Sequence, residues 1–183
     1  MNLEGLLRLL RAAGRLKRTL RRGWVRAGVP HPESVAEHSY RAALLAMLLA
    51  DLEGVDCERA LRMALLHDLP ESEVGDLTPE EKRRLGEDHL RGEEEAMQLL
   101  LSGLPRPLAE EYLDLWREYR RRESPEAVIV HQADRLEMIL QALEYEEGGV
   151  AAGRLDPFWG WEGEGVASRL YDLLRGKREA RST

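Results

Sequence analysis

Apolar residues recur every three or four positions along most of this 183-residue chain, and no segment alternates with the period of two that a β-strand requires. This spacing gives successive helices one apolar face each, and it predicts an all-α fold, a bundle of about six to eight helices. Glycine, proline and acidic clusters interrupt the pattern. The predicted helices cover residues 3–20, 34–52, 57–69, 80–101 with a break at Gly86 or Gly92, 107–121, 125–147 and 165–174, with loops at 23–32 and 72–79.

The size and charge of the chain restrict its class further. A chain of this length has room for one domain around one core. Its 34 acidic and 27 basic residues leave a net charge of -7, which argues against a binder of nucleic-acid polymers or of anionic membranes. An anionic small molecule must therefore meet a local cluster of cations.

The expected compartment is the cytoplasm. The single cysteine, Cys57, forms no internal disulfide, which favours a reducing environment. Basic residues interrupt every apolar run near the N-terminus, so no signal peptide is expected there. The longest apolar-dominated stretch, 42–50, is shorter than the about 20 residues that a membrane span needs.

Four ionisable residues fall where helical spacing predicts a buried face. His38 lies in line with the apolar stripe of the second helix, and His67 and Asp68 lie at the inner edge of the third. Asp134 lies beside the apolar stripe of the long helix near the C-terminus. Each has an ordinary alternative, since a lone buried histidine is usually hydrogen-bonded within a core and Asp134 has Arg135 beside it as a partner.

These four residues are better explained together than singly. An ionised carboxylate is costly to bury unless it is paired or bound to a metal. Two imidazoles and two carboxylates form a nitrogen and oxygen donor set, which suits Mn²⁺, Co²⁺, Fe²⁺, Mg²⁺ or Zn²⁺. We therefore expect a divalent ion where three helices meet, and the sequence leaves its identity open.

The order His38, then His67 and Asp68, then Asp134 resembles the H…HD…D signature of the HD-domain metal phosphohydrolases, an all-helical superfamily. Longer segments between about residues 20 and 156 resemble the YfbR-like 5′-deoxynucleotidases and their eukaryotic HD-domain relatives. Those segments are RRGWVRAGV, PESVAEHSYRAALLAM, ALLHDLPESEVGDLTPEEK, EEEAM and HQADRLEMILQALEYE.

The resemblance implies a role for each matching residue. It implies one bound divalent ion, such as Co²⁺ or Mn²⁺, with His38, His67, Asp68 and Asp134 as its ligands. It implies that Glu71 is the catalytic acid/base, that Arg21 or Arg22 contacts the phosphate, and that the substrate-binding residues are Trp24, Asp76, Leu77, Thr78 and Pro79.

The resemblance also implies an architecture and an activity. It implies a single HD domain over residues 1–183, with the metal-site core at about 20–147, a Gly- and Trp-rich connection at 148–165 and a C-terminal helix at 165–175. The implied reaction converts deoxyribonucleoside 5′-monophosphates to deoxynucleosides and phosphate, in a homodimer that binds this small molecule and neither a nucleic-acid polymer nor a membrane.

Two other functions fit the same sequence. One is a phosphodiesterase or alarmone hydrolase on the same scaffold, which would need a roomier and more basic cleft. The other is a helical interaction module with a structural ion, in which Trp159 and Trp161 contact a partner.

Two further histidines are expected to lie outside the ligand set. We expect His89 to be exposed, which favours a site for one metal ion over a site for two. We expect His131 to support Asp134 from one helical turn away.

Overall fold

The computed structural model describes residues 2–181, and Met1, Ser182 and Thr183, at the ends of the predicted domain 1–183, lie outside the described residues. The described residues form eleven α-helices and one 3₁₀ turn. They contain no β-strand, and their extended backbone pairs in one isolated bridge between Leu20 and Ser34. The all-α prediction is confirmed, with more helices than the six to eight expected because three are single turns of four or five residues.

The helices follow one another with short connections. None of those in residues 2–181 combines the length and the hydropathy that a membrane span requires. They are α1 (Leu3–Leu16), α2 (Arg22–Arg26), α3 (Val35–Glu53), α4 (Cys57–Leu66), α5 (Glu71–Val74), α6 (Pro79–Leu85), α7 (Glu87–Leu101), α8 (Arg106–Arg121), α9 (Pro125–Glu147), α10 (Ala152–Leu155) and α11 (Gly165–Arg181), with the 3₁₀ turn at Asp156–Phe158.

Two of the single-turn helices lie in segments predicted as loops. Arg21 is the N-terminal cap of α2, which ends where Gly28 adopts a φ of 72°, a left-handed conformation that favours glycine. Glu71 is the first residue of α5. Turns of helix, rather than open loops, therefore hold two of the predicted site residues.

The longer helices have the predicted order with some shifted ends. α9 has the predicted bounds, whereas α1 and α4 end earlier, at Leu16 and Leu66, and α11 continues to Arg181. His67 and Asp68 therefore lie just after α4, where Pro70 follows. The predicted helix 80–101 breaks at Gly86, whose φ of 55° separates α6 from α7. Left-handed backbone at this position is the physical reason for the break.

The start of α3 is fixed by a capping box. The Ser34 side chain accepts a hydrogen bond from the Glu37 backbone N–H, and the Glu37 carboxylate accepts one from the Ser34 backbone N–H at 2.7 Å. Because this box satisfies backbone donors at the helix end, it defines the first helical residue. It thereby determines which face of α3 carries His38.

The three helices that carry or directly precede the predicted metal ligands each bury a small side chain. Ala46 of α3, Ala64 of α4 and Ala133 of α9 are fully buried. Alanine allows helix backbones to approach closely, since interaxial distance depends on the side chains at the contact. The core continues on both sides of this contact, from Ala12 in α1 to Leu174 in α11.

α1 crosses the turn between α7 and α8 at a pair of glycines. A Cβ atom added to Gly5 would lie 2.3 Å from the Cα atom of Gly103, a separation that folded proteins do not tolerate. The contact therefore requires glycine on both sides, and it anchors α1 to the far side of the bundle.

Gly5→Ala is expected to lower the free energy of unfolding by about 1–3 kcal/mol, the usual effect of overpacking. Each kcal/mol corresponds to about 2–4 °C in Tm for a chain of this size, which thermal unfolding followed by circular dichroism resolves. Gly14→Ala is the control, because a Cβ there meets no atom within 4 Å. It should stabilise α1 by about 0.5–1 kcal/mol, and equal melting temperatures for the two variants would contradict the contact.

Candidate metal centre and active site

Four predicted ligands from three parts of the chain converge in the interior. The distance from His38 Nε2 to Asp134 Oδ1 is 3.0 Å, and that from His67 Nε2 to Asp68 Oδ2 is 3.1 Å. His38 Nε2 lies 3.6 Å from Asp68 Oδ2, which joins the two pairs. One ligand atom from each of His38, His67 and Asp134 lies within 4.8 Å of the others. Helical spacing had predicted this convergence.

The hydrogen bonds of both imidazoles assign their tautomers. His38 Nδ1 donates to the carboxylate of Glu137, and His67 Nδ1 donates to the Ala64 carbonyl oxygen at 2.6 Å. In the neutral rings the lone pairs are therefore on the Nε2 atoms. Both Nε2 atoms and Asp68 Oδ2 are buried without a hydrogen-bond donor among the described residues. A lone pair facing a carboxylate oxygen at 3.0 Å requires a shared proton or a cation between them.

The charges around the centre keep its carboxylates ionised. Burial alone would raise the pKa of Asp68, but the positive fields of His67, His38 and Arg21 hold it well below its usual range. Burial likewise opposes ionisation of Asp134, and its hydrogen bond with His38 lowers its pKa below the ordinary value. Both acids are therefore anionic ligands at neutral pH.

The donor set fits a divalent cation. Two imidazole nitrogens and two carboxylate oxygens converge, and several of these buried atoms lack any other partner. An octahedral ion held by these four side chains would keep two further positions for a water and a phosphate oxygen. Nothing in this donor set selects one metal among Mn²⁺, Co²⁺, Fe²⁺, Mg²⁺ and Zn²⁺.

Without a bound cation, the His38 ring binds a proton instead. Burial and the nearby Arg21 charge lower the pKa of its ring, but hydrogen bonds to Asp134 and Glu137 outweigh them and raise it to about 10. The metal-free ring is therefore protonated at neutral pH. The 3.0 Å separation of His38 Nε2 and Asp134 Oδ1 leaves room for this proton between them.

Glu71 borders the centre from the N-terminus of α5. Its carboxylate is buried, and its Oε2 atom has no hydrogen-bond partner among the described residues. Burial and the charges of Asp68 and Asp76 raise the pKa of Glu71 well above its ordinary value. Lys82 Nζ lies 3.7 Å from Glu71 Oε1 and acts in the opposite direction. A carboxyl group in such surroundings is suited to exchanging protons near neutral pH.

A cavity of about 230 Å³ lies beside these groups and includes Glu71, Lys82 and His89 in its lining. The prediction that His89 is exposed is wrong: its side chain is 7% exposed, and its Nε2 atom lies 3.2 Å from Glu93 Oε1, one helical turn away. Lys82 Nζ also lies 3.5 Å from Glu93 Oε1. The cavity wall therefore alternates acids with cations.

The two candidate arginines point in different directions. The Arg21 side chain is 14% exposed, and its Nη1 atom lies 3.7 Å from Asp68 Oδ2. The Arg22 side chain is 49% exposed and extends to Glu81, with 3.4 Å between Nε and Oε1. Arg21 therefore faces the centre, and Arg22 faces the N-terminal turn of α6.

Trp24 lies beneath the surface. Its side chain is 1% exposed, its Nε1 atom donates to Glu33 Oε1 at 2.9 Å, and its ring lies 4.1 Å from that of Phe158. The edge of the Tyr145 ring meets the other side at 5.3 Å between centroids. Contact between Trp24 and a substrate stays a prediction.

The other predicted substrate residues surround the start of α6. The Asp76 carboxylate accepts a hydrogen bond from the backbone N–H of Arg22. Thr78 caps α6 through a reciprocal box with Glu81, Pro79 is the first helical residue, and Leu77 is partly exposed beside them. The structure thus brings this turn next to α2, while the predicted contacts with substrate remain predictions.

Two expectations about aromatic and histidine residues are revised. His131 Nε2 donates to the Tyr119 carbonyl oxygen at 2.8 Å and its ring stacks on Tyr119, whose ring meets His67 edge-on. It therefore supports the histidine side of the centre. Trp159 is buried and donates to Glu146, so it offers no surface to a partner.

Sequence reasoning missed Glu137, the buried acceptor for His38. A signal was present, because Glu137 follows the buried Ala133 by four positions on the apolar stripe of α9. An acidic residue on that stripe is as unusual as the histidine on α3 that it contacts.

The comparison with known families decides the assignment. The profile of the HD-domain family matches residues 13–168, which include all four converging ligands. The chain belongs to the HD-domain family.

Relatives within and around this family cover most of the chain. The 5′-deoxynucleotidase HDDC2 of Mus musculus is 46% identical over 155 residues, which is 85% of this chain and 77% of the relative. The PH0347 protein from Pyrococcus horikoshii OT3 is 33% identical with a TM-score of 0.75, covering 95% of this chain and 96% of that one. A "predicted metal-dependent phosphohydrolase" from Magnetospirillum magnetotacticum MS-1 is 29% identical with a TM-score of 0.69, covering 96% and 92%.

This HD-domain centre is expected to bind its cation in exchange for the proton on His38. Because the pKa of the metal-free ring is raised to about 10, the apparent affinity should increase with pH below that value, about tenfold per pH unit for one proton released. Calorimetric titration with Co²⁺ in buffers of different ionisation enthalpy measures both affinity and proton release. His31→Asn, at an exposed histidine, should behave as wild type, whereas an affinity independent of pH would refute the exchange.

Proposed function

We propose that this chain is a metal-dependent 5′-deoxynucleotidase, which hydrolyses deoxyribonucleoside 5′-monophosphates to deoxynucleosides and phosphate. The observation that carries the proposal is that Arg21 and Glu71 both lie beside one set of predicted metal-ligand side chains. The 46% identity to the HDDC2 5′-deoxynucleotidase supports the same reaction.

Charge balance explains why Arg21 is needed. Asp68 and Asp134 neutralise a divalent ion, so a phosphate monoester with nearly two negative charges needs a further cation. The guanidinium of Arg21 supplies paired N–H donors that match two phosphate oxygens. A divalent ion, when bound, would lower the pKa of water and polarise the phosphoryl group.

Glu71 is proposed as the group that moves the proton. Its Oε2 atom accepts a proton from water as the water oxygen forms a bond to phosphorus. The bond from phosphorus to the 5′ oxygen then breaks, and Glu71 returns the proton to that oxygen. The products are a nucleoside with a free 5′ hydroxyl and inorganic phosphate. The raised pKa of Glu71 suits both transfers.

The sugar is proposed to contact the turn before α6. Asp76, Leu77, Thr78 and Pro79 lie there, and the hydrogen bond from the Arg22 backbone to Asp76 joins this turn to α2. Close packing against the 2′ carbon near Asp76 and Trp24 would exclude the additional hydroxyl of a ribonucleotide. This part of the proposal accounts for selectivity between sugars.

The experiment is a comparison of phosphate release from dAMP and AMP with Co²⁺ or Mn²⁺ added. We expect kcat/KM to be higher for dAMP by about tenfold or more. Equal values of kcat/KM would contradict the preference for deoxy sugars and leave a general nucleotidase. If neither nucleotide is hydrolysed, the nucleotidase proposal is wrong.

Two pairs of variants test the roles of residues in the same assay. Glu71→Gln should reduce kcat by about 10²–10⁴ with its metal content unchanged, whereas Glu73→Gln, at an exposed acid on the same helix, should not. Arg21→Ala should lower kcat/KM far more than Arg22→Ala. Full activity of Glu71→Gln would favour a structural ion over a catalytic one.

We also propose that the protein forms a homodimer through the outer face of α3. Tyr40, Leu44, Leu48 and Leu52 follow one another at intervals of four, and Tyr40 is 74% exposed. A stripe of this kind pairs with its own copy around a twofold axis. Leu48→Lys should therefore yield a monomer in light scattering, whereas Leu99→Lys, at an exposed leucine of α7, should not.

The cytoplasmic location remains a prediction from the single cysteine.

A further inference from the structure

A fully buried glutamate lies directly behind the metal ligand His38. The side chains of Glu137 and His38 are both 0% exposed, and the carboxylate of Glu137 accepts the hydrogen bond from His38 Nδ1. His38 Nε2 faces Asp134 and Asp68 on the opposite side of the ring. The ring is therefore held between an acceptor behind it and the centre in front.

The buried carboxylate is itself held by an arginine. Arg41 Nε donates to Glu137 Oε1 at 2.9 Å, so each oxygen of Glu137 has its own donor. Arg41 also donates to Gln141 at 2.6 Å and to Glu144 at 2.7 Å. These three acceptors lie on successive turns of α9, while Arg41 lies on α3, one turn after His38.

We propose that Glu137, anchored by Arg41, is the positioning residue that orients His38 as a metal ligand and keeps its Nε2 lone pair directed at the centre. A ligating imidazole whose second nitrogen donates to a carboxylate has one tautomer and one ring orientation. The Arg41 contacts also join α3 to α9, the helices that bring His38 opposite Asp134. The contacts among His38, Glu137 and Arg41 thus fix the orientation of the His38 ring and hold α3 in its position against α9.

The alternative reading is that the pair of Arg41 and Glu137 is an ordinary buried salt bridge that stabilises the fold. A stabilising pair would change the unfolding temperature of the metal-free protein and leave the metal affinity of the folded protein unchanged. A positioning pair changes the metal affinity itself, so the two readings differ in a measurable quantity.

The test is the affinity of the metal-free protein for Co²⁺, measured without nucleotide. Glu137→Gln retains the shape of the side chain and removes its charge, and we expect the dissociation constant to rise about 10–100-fold. Glu144→Gln is the matched control, because Glu144 also binds Arg41 but does not contact His38. It should bind Co²⁺ within about twofold of wild type. An unchanged affinity in folded Glu137→Gln would overturn the proposal.

A second measurement uses the wild-type protein and so does not depend on the folding of a variant. Long-range nitrogen-proton NMR of the Co²⁺-free and Zn²⁺-loaded protein reports which nitrogen of His38 carries the proton. With Zn²⁺ bound, we expect a slowly exchanging proton on Nδ1 and none on Nε2. A proton on Nε2 of the Zn²⁺-loaded protein, or rapid exchange at its Nδ1, would contradict the inference. The inference about Glu137 rests on the metal site of the proposed function and not on the proposed substrate. A failure of the nucleotide assay would therefore leave the Co²⁺ and NMR outcomes unaffected.

Discussion

Mutual compensation among four clustered ionisable groups, two of them fully or almost fully buried, is the constraint on which the rest of this protein depends. Carboxylates and imidazoles are costly inside a core of alanine and leucine unless opposite charges lie beside them. His38 meets Asp134 and His67 meets Asp68, so each acid faces a base. Small side chains between the three helices make such short distances attainable, and the compensated groups remain available to a cation.

Around this centre, positive groups lie on different sides, each against a carboxylate. Arg21 approaches Asp68, and Lys82 approaches Glu71. The chain as a whole is acidic, with a net charge of -7, so attraction for an anion depends on the local arrangement of a few cations. This agrees with a small substrate that enters a shaped site better than with a long polyanion that follows an extended basic surface.

Helical periodicity predicted that His38 and Asp134 face inward because both residues lie within regular helices, and their role as metal ligands stays a prediction. His67 and Asp68 follow the end of α4 at Leu66, so the spacing within a helix does not by itself determine their direction. The choice between Arg21 and Arg22 was beyond sequence reasoning, since a single-turn helix gives neighbouring residues no regular pattern. His89 was misjudged because its charged neighbours along the chain suggested solvent, while the side chain turns toward Glu93 and the cavity. The role of Glu137 depends on a contact between α9 and α3, which the spacing within one helix does not reveal.

The segment between α9 and α11 contacts Trp24, a predicted substrate-binding residue, and carries none of the predicted metal ligands. Phe158 lies over Trp24, and the segment is fastened from behind: the Tyr171 hydroxyl donates to the Trp159 carbonyl oxygen, and Arg178 pairs with Asp156. The C-terminal helix α11 is therefore connected to Trp24 by a short chain of contacts. Substitutions in this segment therefore alter the surroundings of Trp24 while every residue of the predicted metal centre stays the same.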